Sequence, residues 1–123
     1  MTHLLRKNSP IPAYMAYPRF LLTADLSETA KLIYVLLLDR ARLSMKNKGW
    51  EDERGYVFIY YTIADLANAS GKSEMTVKNA LAALEQKNLI SRKRQGAGLP
   101  SKVYVKVQTE NCPTGWTSYK PQT

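Results

Sequence analysis

Two helical patterns meet at a glycine-centred break, ASGKS (69–73), and two alternating apolar segments follow around the loop QGAGLPS (95–101). Together these observations predict a mainly α protein with a small antiparallel β-sheet, arranged as a winged helix-turn-helix. The third observation is charge. Of a formal +8, the excess lies in residues 1–20, with Arg6, Lys7 and Arg19 and no acid, and in residues 88–107, with Arg92, Lys93, Arg94, Lys102 and Lys106 and no acid. Residues 24–54 and 62–87 are each neutral. Such segregation points to a polyanionic partner.

Taken in order, residues 1–16 read as an N-terminal arm, because Pro10 and Pro12 disfavour regular structure. YPRFLL (17–22) is a short apolar segment, read as a strand or a docking stretch. Asp25 or Ser27 can cap a helix running to about Lys46, with Glu28 complementing its positive end. Its centre, LIYVLLL (32–38), is apolar on nearly every face, which calls for burial on several sides or a dimer interface. KNKGWEDERG (46–55) reads as a polar turn or loop, and YVFIYY (56–61) as a strand. Thr62 and Asp65 open a short helix that stops near Gly71.

Ser73 can cap the next helix, which runs to about Lys87. Val77, Ala80, Leu81 and Leu84 have the i, i+3, i+4, i+7 spacing of one buried face. LISRKR (89–94) and KVYVKV (102–107) read as strands, and residues 108–123 as a tail or linker. The domain is therefore expected over residues 17–107.

The second helix of a helix-turn-helix can enter a major groove. Opposite its apolar stripe stand Ser73, Glu74, Thr76, Lys78 and Asn79. Asn79 can pair with adenine, and Lys78 can donate to guanine or phosphate; Ser73 and Thr76 suit phosphate. Glu74 suits the helix dipole better than a cytosine edge. On the wing, Arg92 and Arg94 are expected on one side of the strand and Lys93 on the other, with Gln95 and Lys102 alongside, all placed for DNA backbone contact. Trp50 and the tyrosines read as packing residues, and Met15, Met45 and Met75 as gap fillers.

Other classes find little support. One histidine and one cysteine, Cys112, provide neither a disulfide nor a metal cluster, and no P-loop or nucleophile motif is present. No catalysis, metal or cofactor is expected. No apolar run approaches a membrane span and the N-terminus lacks a signal peptide's apolar core, so a cytoplasmic protein is expected.

AKLIYVLLLDRARLSMKNKGWEDERGYVFIYYTIADL (30–66) resembles the N-terminal domain of the plasmid replication initiator protein A family. The resemblance rests on Ala30, Lys31, Tyr34, Leu37, Leu38, Asp39, Arg40, Ser44, Asn47, Trp50, Asp52, Gly55, Val57 and Tyr60. A second block, LEQKNLISRKRQGAGLPSKVYV (84–105), contributes Leu84, Glu85, Leu89, Ile90, Arg94, Gln95, Gly96, Gly98, Pro100 and Tyr104, and Tyr17, Pro18, Phe20 and Leu21 match ahead of the first helix. The likeness spans residues 17 to 106. It implies a winged helix that binds repeated double-stranded DNA sites at a replication origin as a homodimer, with the recognition helix, Arg94 and Gln95 on DNA. Host replication proteins are a further expected partner. Full members continue into a second domain, so the chain is expected to be an N-terminal domain or a short stand-alone relative. The recognition helix matches the family less well than its flanks, so no target sequence carries over. A transcriptional regulator of a mobile element and a winged helix that docks replication proteins are the alternative readings.

Overall fold

The computed structural model describes residues 2–47, 49–96 and 101–107. Residues 2–18 form no helix or strand, and Arg19–Thr23 makes one 3-10 turn that drops Leu21 into the core. This corrects the strand alternative for YPRFLL; the segment docks instead. Helix α1 spans Glu28–Ser44, and the Ser27 hydroxyl accepts the Ala30 N–H to close its first turn. Ala30, Ile33, Tyr34, Val35, Leu37 and Ala41 are all buried, so α1 lies at the centre of the molecule and packs chiefly against α3.

Strand β1 covers only Ile59–Tyr60, shorter than the sequence suggests. The reason is a competing pairing. Residues 56–58 pair back onto 50–52 through Asp52 N–H to the Tyr56 carbonyl at 2.9 Å and Phe58 N–H to the Trp50 carbonyl at 3.0 Å. Gly55, at φ 87°, closes the turn between them. Residues 50–52 of the expected loop are thus one arm of a small hairpin.

Helix α2 (Ile63–Ser70) is capped by Thr62 and stopped by Gly71, whose φ of 74° is the left-handed conformation that favours glycine. Helix α3 (Glu74–Gln86) follows after only Gly71–Ser73, the short connection of a helix-turn-helix. Its far end is a Schellman motif. Asn88, at φ 63°, sends its N–H to the Glu85 carbonyl, while the Leu89 N–H reaches the Leu84 carbonyl. Leu84 and Leu89 are both buried there, which fixes the exit of the chain into β2.

Strands β2 (Ile90–Lys93) and β3 (Lys102–Val105) are antiparallel, and the sheet order is β1-β3-β2. Ile59, Ile90 and Val103 bury on one sheet face against the helices. Tyr34 donates its hydroxyl to the Lys106 carbonyl, tying α1 to the end of the hairpin stem. Burial pushes that phenol up to about 12. No described helix is long and apolar enough to cross a membrane.

Candidate nucleic-acid interface

Helix α3 sorts its side chains as its spacing predicts. Val77, Ala80, Leu81 and Leu84 are buried, whereas Glu74, Met75, Lys78, Asn79 and Ala82 are exposed. Lys78 and Asn79 therefore stand on the open side near the start of the helix. Ser73 caps the helix as its position suggests. Its hydroxyl accepts the Thr76 N–H at 3.1 Å and donates to the Thr76 hydroxyl at 2.9 Å, which closes the helix end. Thr76, half-buried, carries the other end of that bond. Glu74 lies in the first turn, where a carboxylate complements the helix dipole.

Register decides the hairpin. Arg92 lies opposite Val103 and Ile90 opposite Val105, so Arg92 shares the face that packs on the helices. There its guanidinium donates to the Glu85 carboxylate of α3 at 2.7 Å, with the two side chains 31% and 36% exposed. An arginine so held braces the hairpin against helix α3. Leu66 of α2, Leu81 of α3 and Arg92, Ser101 and Val103 of the hairpin border one cleft, so the hairpin lies beside the middle of α3. Arg94 and Gln95 continue past the end of β2 and are exposed.

Lys93 and Lys102 are directly opposite each other on the other face. The strand alternation expected for Arg92 and Lys93 is present, but it removes Lys93 and Lys102 from the side of α3. The Lys102 ammonium sits 4.5 Å from the centre of the Phe58 ring. This outer face carries its own aromatic cluster, in which Phe58 packs against Trp50 and Tyr60 with centroids 6.0 and 5.6 Å away, and against Tyr104 at 6.1 Å. Asp52 organises the turn beneath it. Desolvation pushes its carboxyl upward, but N–H donors from Tyr56 and Arg54, the Tyr104 hydroxyl and the Arg54 charge outweigh this and hold it below the usual range. Desolvation and the Asp52 carboxylate raise Tyr104 in turn.

Trp50, Tyr34, Tyr60, Tyr61 and Tyr104 are packing residues as expected, but Tyr14, Tyr17 and Tyr56 are exposed. The methionines differ from expectation. Met15, Met45 and Met75 are all exposed rather than filling gaps, and Met75 stands on the open side of α3. Its spacing of three and four residues from Lys78 and Asn79 was the available signal. Glu85 was missed as the partner of Arg92 because the pair joins separate elements. Gly98, Pro100 and the tail, with Cys112, lie outside the described residues. Among the described residues, no group of three or more His, Cys, Asp or Glu side chains could hold a metal ion.

Solved structures share this fold. A structure titled "N-Terminal domain of DNA binding protein" matches with a TM-score of 0.67 and 27% identity, covering 80% of this chain and 79% of that one. "Structure of Rep-DNA complex" gives 0.66 and 27%, covering 80% of each chain. "Structure of MDR initiator" gives 0.65 and 29%, covering 81% and 83%. No curated protein matches the chain at a significant level. The profile described as "Replication initiator protein A (RepA) N-terminus" matches residues 13–115, which takes in the three helices, the sheet and both blocks of sequence resemblance. With that match across most of its length and a winged helix beneath it, the chain belongs to the replication initiator protein A N-terminus family.

Proposed function

We propose that this chain binds double-stranded DNA sequence-specifically at repeated sites of a plasmid or mobile-element replication origin, without catalysis. The observation that carries the reading is the start of α3. A capped helix end presents Lys78 and Asn79 outward while the hairpin bearing Arg94 runs back alongside. Lys78 and Asn79 read base edges, Thr76 and Arg94 approach phosphates, and Gln95 lies at the wing. Ser73 and Arg92 position these groups. Lys93 and Lys102, on the outer face, are left out of the base-reading surface. The family and the solved neighbour titled as a Rep-DNA complex support this assignment.

Two copies pair through the arm and α1, so that two recognition helices meet successive half-sites. Leu4, Leu5, Ile11 and Tyr14 of the arm are exposed apolar side chains suited to that contact. The site of action is the cytoplasm, where host replication proteins join the complex. Fluorescence anisotropy at ~150 mM salt tests the reading, using the replicon's own repeat duplex and a scrambled duplex. A preference of ~10³ or more is expected; equal affinities would refute it. Sedimentation of the free chain at concentrations around the binding range tests the pairing, and a monomer that stays monomeric on a two-site duplex would exclude it.

A further inference from the structure

We infer that Met75 contacts a thymine 5-methyl group in the major groove while Asn79 holds the adenine paired with it, so that the start of α3 reads an A·T pair. The inference rests on the DNA-binding reading above and names what part of the sequence is read. Met75 is the second residue of α3 and is 63% exposed. The buried stripe of Val77, Ala80, Leu81 and Leu84 faces the opposite way, so the helix geometry holds Met75 outward. Asn79 and Lys78 stand one turn further along the same side, and side chains three or four residues apart are neighbours.

A single exposed apolar side chain is ordinary on a protein surface. Here the neighbours give it a ligand. An A·T pair presents a methyl group beside the adenine N6 and N7 in the major groove, which calls for one apolar side chain and one amide. Met75 and Asn79 are that pair. A C·G pair in the same place lacks the methyl and puts the guanine O6 acceptor where adenine has its N6–H donor, so the thioether loses its contact and the amide one of its two bonds. Methionine, unbranched and polarizable, adapts to the methyl without requiring a fixed rotamer.

The test uses a duplex selected by the wild-type chain from a random-sequence pool, with each thymine replaced in turn by deoxyuridine, which lacks only the methyl. At one position the replacement should weaken wild-type binding roughly four-fold, the value of one buried methyl-sized group at about 0.8 kcal/mol. Met75→Ala should bind the thymine duplex with at least that loss and be indifferent to deoxyuridine at that position, whereas Met75→Leu retains the sensitivity. An unchanged thermal midpoint for Met75→Ala shows that folding is intact. Wild-type affinity in Met75→Ala, or losses that add in full, would overturn this inference while leaving sequence-specific binding in place. Failure of the wild type to prefer the selected duplex over a scrambled one would overturn both readings.

Discussion

Helix α3 and the β2–β3 hairpin carry the same kinds of side chain, yet their residues are placed by different rules. On α3 a four-residue apolar stripe fixes the outward side, and Lys78 and Asn79 follow from it without reference to the rest of the molecule. On the hairpin, consecutive residues alternate between faces, so a shift of one residue would exchange Arg92 and Lys93. Pairing with β3 makes the choice, and it divides the basic run. Arg92 turns to Glu85, while Lys93 joins Lys102 on the outer face. A cluster of positive charge in sequence is therefore not one positive surface in space.

The largest effect should come from the buried side of α3. Leu84→Ala removes a fully buried side chain at the Schellman turn and should cost about 2–5 kcal/mol in urea denaturation. Lys78→Ala, on the open side, should stay within about 0.5 kcal/mol in stability while reducing specific DNA affinity. A similar stability loss from both would break the division of the helix into two sides.

The hairpin stem should show itself in alkali. The Tyr34 phenol is held neutral to about 12 in the folded chain, against about 10 when unfolded. A raised folded value means that this stabilisation is complete below pH 10 and is lost as pH rises through 12. The loss is on the order of 3 kcal/mol. Tyr34→Phe should remove that component of the pH dependence between 10 and 12, read from denaturation midpoints. If it leaves the slope intact, the buried Tyr34 phenol is not the group that titrates there.

The turn between α2 and α3 comes next. Gly71→Ala places a Cβ on left-handed backbone and should cost roughly 1–2 kcal/mol, read as a lowered thermal midpoint. Space is not the issue there, since nothing lies within 4 Å of the added carbon. A neutral result would mean that the turn readjusts.

The smallest effect sharpens the comparison most. Arg94→Ala should lower the slope of log affinity against log salt by about one, as expected for one lost phosphate contact. Arg92→Ala should leave the slope unchanged. Combined with Glu85→Ala in a double-mutant cycle, it should show a stability coupling of up to about 1 kcal/mol, because the pair is half-exposed. A slope change for Arg92→Ala equal to that of Arg94→Ala would restore Arg92 to the DNA surface.

The sequence by itself determined α1, α2 and α3, their capping residues, the glycine stop at Gly71 and the outward position of Lys78 and Asn79. Each depends on contacts within about one helical turn, or on an apolar period that needs only a core to face. The tertiary structure alone decided that residues 56–58 pair with 50–52 and shorten β1, that Leu21 docks through a 3-10 turn, and that Asp52 gathers the turn beneath Tyr104. It also decided which cations of the hairpin lie beside the recognition helix. These features join residues far apart in the chain, and their partners are chosen by register and packing, which no local pattern encodes.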